Sequence, residues 1–192
     1  RPYPSLDFVL VGEPDLSIRD LLDHLDNKFD QRSPEIQRIF ANHDPHYQPS
    51  LNEDGSVDMH GIKGLAWRKD NDIIMNMPRP FVADLDGLPI PMHELLPLDK
   101  YRMPLIKGPF TFILSSRGCP AGCTYCIKHV SYQYTTRLRS PKLLMDELWR
   151  LKELGINNIH MYSDLFTVNR DQVMDLCQRM IDEKINIKWT SN

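Results

Sequence analysis

From residue 110 onward the sequence alternates short apolar runs with amphipathic segments, and this alternation limits the fold more than any other feature. Residues 110–114, 158–162 and 185–190 have the length and apolar content of strands. Two segments with helical periodicity, residues 141–154 and 170–183, separate them. Because strands that alternate with helices pair in parallel, the sequence predicts an α/β fold with a parallel sheet.

Residues at the ends of both predicted helices support these bounds. Ser140 precedes Pro141, a residue type favoured at the first helical position, and Gly155 follows the first helix. At the second helix, Asn169 with Gln172 resembles a capping box.

The first part of the chain has a different organisation. Residues 6–13 form an apolar run that ends in a turn, which predicts a buried strand. A helix is expected next, capped by Ser17, with one apolar face formed by Ile18, Leu21, Leu22 and Leu25. Residues 42–58 are polar and predict a surface loop, and residues 65–75 predict a hairpin about a turn at residues 70–72.

Nearly half of the chain's 15 prolines fall in residues 78–109, which discourages helices and central strands there. We therefore predict a linker and a domain boundary near Gly108. The predicted division is residues 1–42, then a loop, hairpin and Pro-rich linker at 43–108, then residues 109–192.

Composition excludes several classes of protein. Lys and Arg total 23 against 26 for Asp and Glu, so the net charge of −3 gives no general attraction to nucleic acid. No apolar run approaches the roughly 20 residues of a membrane span, and no signal peptide is visible. Three clustered cysteines out of four are unlike a disulfide framework, which predicts a cytoplasmic protein. Because the sequence opens without Met and stops inside a predicted strand, we interpret it as a fragment.

Cys119, Cys123 and Cys126 form a C-x3-C-x2-C pattern directly after the first strand of the alternating region. The carboxyl ends of parallel strands are where α/β proteins usually hold cofactors, and thiolates are soft metal ligands. A four-iron cluster or a structural zinc ion normally takes four protein ligands. Three thiolates would leave one iron open to a small molecule with nitrogen and oxygen donors.

Two alternatives bear on this site. His129 could complete a Cys3His zinc site in a non-enzymatic binding module. Cys177 could supply a fourth thiolate, but it shares an apolar helix face with Val173, Met180 and Ile181, which favours a core thiol.

The pattern with Tyr125 before its last cysteine resembles the signature of the radical S-adenosylmethionine (SAM) superfamily. The resemblance implies that Cys119, Cys123 and Cys126 hold a [4Fe-4S] cluster and that SAM chelates the open iron. It also implies that Tyr125 lies near the adenine and that reduction of SAM releases a 5′-deoxyadenosyl radical.

Further stretches resemble the cobalamin-dependent radical SAM enzymes. In many radical SAM enzymes a Gly-Gly-Glu stretch after the second strand receives the SAM amine, and residues 161–167 are similar to the Asp-x-Phe-Thr stretch that replaces it in the cobalamin-dependent enzymes. This makes Ser163 and Asp164 candidates for SAM contact, with a plain helix-entry loop as the alternative. Residues 7–20 resemble the end of a cobalamin-binding Rossmann-like domain, and residues 78–101 resemble the connector to a partial (β/α) barrel. Cobalamin is therefore an expected cofactor. The stretch 44–49 is superficially similar to a cobalt-ligating motif. It is interpreted as a surface loop, because it lies after the last strand of the predicted cobalamin-binding domain instead of before it, and because it ends in Pro.

Residues 115–137 and 157–169 are similar to the anaerobic oxidative cyclases that act on magnesium-protoporphyrin IX monomethyl ester in bacteriochlorophyll synthesis. This implies a tetrapyrrole substrate and a reduced electron donor such as a flavodoxin or ferredoxin. A cobalamin-dependent methyltransferase with another substrate is the alternative. The side chains that could contact the substrate or its magnesium are Tyr132, Tyr134, Arg137 and His160, although strand packing and ordinary loop surface are favoured for them. No catalytic residue is assigned.

Overall fold

The computed structural model describes residues 5–26, 50–104, 106–127 and 135–192. The chain divides into two compact units, Arg1–Ala83 and Asp84–Asn192. The stretch 44–49, His129, Tyr132 and Tyr134 lie outside the described residues. Within the described ranges, no helix has both the length and the apolar character that crossing a membrane requires.

Unit 1 contains an antiparallel sheet and one helix. Strands β1 (Phe8–Leu10), β2 (Leu65–Lys69) and β3 (Asp72–Met75) pair in that order, and helix α1 spans Asp15–Asp26. The predicted hairpin is confirmed, and Asp70 in its turn adopts a positive φ of 52°. A Rossmann-like strand would pair in parallel, whereas β1 pairs antiparallel with β2; the cobalamin-domain assignment of this segment stays a prediction.

The predicted start and apolar face of α1 were wrong. The helix begins at Asp15, and Ser17 lies inside it, buried, with its hydroxyl donating to Lys63 O at 2.7 Å. Of the predicted face only Leu21 is buried, whereas Ile18, Leu22 and Leu25 are exposed. Arg79 explains the difference, because it pairs with Asp20 and donates to Ser17 Oγ, so that the helix buries a polar stripe.

Unit 2 contains the predicted parallel sheet. Strands β4 (Phe110–Leu114), β7 (Asn158–Tyr162) and β8 (Lys188–Ser191) pair in that order, with helix α2 (Pro141–Glu153) between β4 and β7 and helix α3 (Arg170–Asp182) between β7 and β8. The two short strands that follow β4 in the chain, β5 (Ser116–Arg117) and β6 (Arg137–Leu138), form a separate pair. The last strand begins at residue 188 instead of 185. Both isoleucines before it, Ile185 and Ile187, are buried in the core of this unit, which produced the strand-like pattern.

One face of the parallel sheet packs against the two helices. Ile113, Ile159 and Met161 are almost fully buried on this face, against the helix residues Leu144, Leu148, Leu151 and Leu176. Alternate residues along the strands point to the other face. There Phe112 pairs with His160, and His160 pairs with Thr190.

Residues 84–109 of the Pro-rich segment belong to unit 2, whereas residues 78–83 belong to unit 1. The division at residues 83/84 therefore lies inside the predicted linker, upstream of the boundary predicted near Gly108. Residues 84–109 contain several short elements, which are 3-10 turns at Leu85–Gly87, His93–Leu95 and Leu98–Lys100. Asp86 Oδ1 accepts a hydrogen bond from Ser140 N at 2.8 Å, and His93 Nε2 lies 2.7 Å from Glu147 Oε1. These polar contacts and the buried Leu98 hold the segment against α2.

Side-chain caps define both helices of unit 2. Ser140 Oγ accepts a hydrogen bond from Leu143 N at 3.2 Å, and Asn169 Oδ1 accepts one from Gln172 N at 2.9 Å. The Gln172 side chain does not return the bond as a capping box would. It donates instead to Arg139 O at 2.6 Å, which links α3 to the residue before the cap of α2.

Replacing Ser140 with Ala is expected to lower the free energy of unfolding by about 1 kcal/mol, because Leu143 N loses its acceptor at the helix end. Urea unfolding of unit 2 measures the change. Ser140→Thr keeps a capping oxygen and is the control. Equal stability of the Ala variant and the unsubstituted chain would show that this cap does not stabilise α2.

Candidate metal centre

The cysteine loop leaves the sheet and returns to it at nearly the same place. Two short strands, β5 (Ser116–Arg117) and β6 (Arg137–Leu138), pair antiparallel with Arg117 opposite Arg137. Immediately beyond β6, Arg139 donates from its backbone N to Ser115 O at 3.0 Å and from Nη1 to Leu114 O at 2.9 Å. Both ends of the loop are therefore fixed at the carboxyl end of β4.

The three cysteines of the pattern lie at the start and middle of this loop. Cys119 and Cys126 are half-buried and Cys123 is exposed; none of these described cysteines forms a disulfide. Cys126 N donates to Cys123 O at 3.0 Å, so these two residues share a tight turn. Among the described residues, no three Cys, His, Asp or Glu side chains are gathered closely enough to hold a metal. The assignment of the three thiolates as ligands stays a prediction.

Tyr125 projects into solvent between the last two cysteines, with 90% of its surface exposed. The negative charge of the Cys123 thiolate raises the pKa of the Tyr125 phenol, and the charge of Cys126 contributes further. A second negative charge beside these sulfurs is disfavoured, so the phenol keeps its proton. The predicted approach of Tyr125 to an adenine stays a prediction.

The carboxyl end of β7 carries the two predicted SAM contacts. Ser163 is almost fully buried, and its hydroxyl has no hydrogen-bond partner among the described residues. Asp164 Oδ2 accepts a hydrogen bond from Gly118 N at 2.8 Å, at the start of the cysteine loop. The Ser116 hydroxyl, near the carboxyl end of β4, is likewise buried and lacks a partner within the described ranges. Sequence reasoning missed Ser116, since nothing in its local pattern distinguishes it.

His160 lies on the sheet face opposite the helices, in edge contact with Phe112 at a ring-centroid distance of 5.8 Å. Asn192 donates from Nδ2 to Ser163 O at 2.8 Å, so its Oδ1 accepts from His160 Nε2 at 2.6 Å. The other ring nitrogen, Nδ1, then accepts from the Thr190 hydroxyl at 2.8 Å. Both nitrogens of His160 are thus engaged within the sheet.

Arg137 and Cys177 lie on different elements, β6 and α3. Arg137, a predicted substrate contact, is half-buried in β6. Cys177 is half-buried on α3, between the buried Leu176 and Met180. The predicted apolar face around Cys177 is narrower than expected, because Ile181 is exposed.

Comparison with protein families identifies this region. Residues 113–192 match the Radical SAM superfamily, a range that begins inside β4 and contains the cysteine pattern, Ser163 and Asp164. This part of the chain is similar to radical SAM domains. It contains the cysteine loop after β4 and the two following parallel strands, β7 and β8.

Relatives that match nearly all of this chain include more than one kind of enzyme. The chain is 28% identical to an uncharacterised methyltransferase of Pyrococcus horikoshii over all of its length and 36% of the relative's. It is 27% identical to an anaerobic magnesium-protoporphyrin IX monomethyl ester cyclase of Synechocystis, over 96% of this chain and 31% of that protein. The chain thus spans about a third of the length of these relatives.

A solved structure has a fold similar to that of this chain. The cobalamin-dependent SAM radical enzyme OxsB, solved with aqua-cobalamin and SAM bound, has a TM-score of 0.64 to this chain at 17% identity. The match covers 98% of this chain and 23% of OxsB.

Proposed function

We propose that Cys119, Cys123 and Cys126 hold a [4Fe-4S] cluster and that SAM binds beside it, at the carboxyl ends of β4 and β7. One observation carries the proposal: the C-x3-C-x2-C loop leaves the carboxyl end of the first parallel strand of a radical SAM domain. In parallel α/β proteins, this edge of the sheet is where active sites are built.

The donor groups of the chain suit these cofactors. Thiolates are the usual ligands of iron-sulfur clusters, and three of them leave one iron without a protein ligand. The buried hydroxyl of Ser163 has no partner in the described part of the chain, and neither has that of Ser116. Because a buried polar group without a hydrogen bond is costly, a polar ligand at this edge would stabilise both.

When bound, a reduced cluster supplies the electron that breaks a carbon-sulfur bond of SAM. The chain's residues bind and orient: the β5-β6 pair fixes both ends of the loop that presents the three thiols. Ser163 and Asp164 are the proposed contacts for polar groups of SAM, and Tyr125 is proposed to lie near the adenine. We also propose cobalamin as a cofactor and a flavodoxin or ferredoxin as the electron donor; the fold shared with OxsB supports the first of these.

Two reactions are candidates for what the 5′-deoxyadenosyl radical initiates. Sequence similarity favoured the oxidative cyclase, and the Synechocystis relative supports it. Methyl transfer has equal support from the Pyrococcus relative, which matches the whole chain. We therefore propose a cobalamin-dependent radical SAM enzyme whose reaction is either methyl transfer or oxidative ring closure.

Product analysis separates these two reactions. The natural full-length protein, reconstituted anaerobically with iron and sulfide, is supplied with SAM, cobalamin, a reductant and the porphyrin ester. We expect a brown protein that forms 5′-deoxyadenosine or a methylated product. Ring closure of the porphyrin would support the cyclase, whereas methylation without ring closure would exclude it. A colourless zinc protein that leaves SAM intact would refute the whole proposal in favour of a structural Cys3His site.

A further inference from the structure

Asp164 joins the end of β7 to the beginning of the cysteine loop. Its Oδ2 accepts a hydrogen bond from Gly118 N at 2.8 Å, and Gly118 is the residue immediately before Cys119. The two partners are far apart in sequence, but each lies within four residues of the end of a parallel strand, Asp164 after β7 and Gly118 after β4, and these strands are neighbours in the sheet. The contact therefore acts on the peptide through which the chain enters Cys119.

Gly118 makes a sharp change of direction at this point. Its φ of 88° lies in a region that residues with a side chain rarely adopt, and the residue is buried. Before it, Arg117 is held by pairing with Arg137. A buried N–H requires an acceptor, and a carboxylate is a stronger acceptor than a neutral oxygen. Asp164 thus holds the turn that sets the direction of the chain at Cys119.

The turn that carries Asp164 is itself held in place. The Ser163 carbonyl accepts a hydrogen bond from Asn192 Nδ2 at 2.8 Å. Just before it, the Tyr162 carbonyl accepts from Ser115 N at 3.0 Å. The Asn192 side chain and the Ser115 backbone therefore hold the two residues that lead into Asp164.

We propose that Asp164 is a positioning residue that orients Cys119 through the Gly118 peptide, in addition to any contact that it makes with SAM. The inference rests on the proposed function only in taking Cys119 as a cluster ligand. The hydrogen bond and its effect on the loop belong to the chain without a cluster and are measurable there.

The first test uses the cluster-free chain. Asp164→Leu removes the acceptor, and Asp164→Asn keeps one acceptor oxygen at the same distance from the backbone. We expect the Gly118 amide of the Leu variant to exchange with deuterium about tenfold faster, because it loses a charged acceptor. We also expect faster alkylation of Cys119 relative to the exposed Cys123. The Asn variant is expected to restore both rates.

A matched surface control is Asp175→Leu, which removes a carboxylate from α3 that pairs with Arg179 near the protein surface. Gly118 exchange is expected to be unchanged in it. If Asp164→Leu does not fold, Asp164→Glu displaces the carboxylate by one methylene and is expected to give the same two accelerations in smaller degree.

The second test uses the protein loaded with iron and sulfide. We expect the Leu variant to bind the cluster about 10- to 100-fold more weakly, because a group that orients a cluster ligand is lost. We also expect the electron paramagnetic resonance (EPR) spectrum of the cluster to change. The Asn variant is expected to recover the cluster affinity and the spectrum. Unchanged Gly118 exchange in the Leu variant would overturn the proposal. So would faster exchange with unaltered cluster affinity and spectrum. An unsubstituted chain that binds no cluster would refute the proposed function, while exchange and alkylation would still decide the role of Asp164.

Discussion

Replacing Cys123 with Ser is expected to abolish formation of the cluster and, with it, SAM cleavage, lowering the yield of 5′-deoxyadenosine on the order of 1,000-fold or more. Serine offers a hard oxygen in place of a soft thiolate, and two thiolates do not retain a four-iron cluster. Cys123 is exposed, so its substitution removes no packing contact from the core. Iron and sulfide content and the anaerobic assay with SAM and dithionite measure the effect.

Cys177→Ser is the matched control for this experiment. It makes the same change of sulfur to oxygen within unit 2, but on α3 instead of the cysteine loop. We expect it to keep the iron content and the SAM cleavage of the unsubstituted protein. Loss of the cluster in Cys177→Ser with retention in Cys123→Ser would exchange the two roles and contradict the ligand assignment.

Replacing Glu147 with Gln is expected to lower the free energy of unfolding of unit 2 by about 3–5 kcal/mol. Glu147 is 1% exposed on α2, and its carboxylate lies between two partners, with Oε1 2.7 Å from His93 Nε2 and Oε2 2.5 Å from Arg139 Nη1. Arg139 and Glu147 form an ion pair, but the contact does not have the geometry of a hydrogen bond. Gln keeps the shape of the side chain but leaves the buried guanidinium without its counter-charge.

Urea unfolding of the Gln variant measures this loss, with Glu153→Gln at the exposed end of the same helix as the control. The control is expected to change stability by less than about 0.5 kcal/mol, as surface substitutions usually do. A Glu147→Gln variant as stable as the control would mean that Arg139 is adequately solvated without the carboxylate.

Local signals were sufficient for much of unit 2. The bounds of β4 and β7 were predicted correctly and both helices to within one residue, because caps and apolar periodicity lie within the segments themselves. The sequence predicts a linker at residues 84–109 because the polar contacts that hold them against α2, such as that between Asp86 and Ser140, leave no periodic pattern. Likewise, the buried stripe of α1 depends on Arg79, a residue distant in sequence.

The candidate site likewise has features that a local sequence pattern predicts and features that depend on the folded structure. The spacing of Cys119, Cys123 and Cys126 is a local pattern, so it identified the loop and, by resemblance, the superfamily. The hydrogen bond between Asp164 and Gly118 forms only when two strands become neighbours, so no local sequence pattern predicts it. For Ser116, burial without a partner becomes visible only in three dimensions.

Mössbauer spectroscopy of the protein reconstituted anaerobically with iron-57, recorded with and without SAM, tests the central claim most directly. The three-thiolate assignment predicts a [4Fe-4S] cluster in which SAM alters the isomer shift of a single iron site and leaves the other three unchanged. A spectrum in which all iron sites are equivalent and insensitive to SAM would show complete protein ligation and contradict the account.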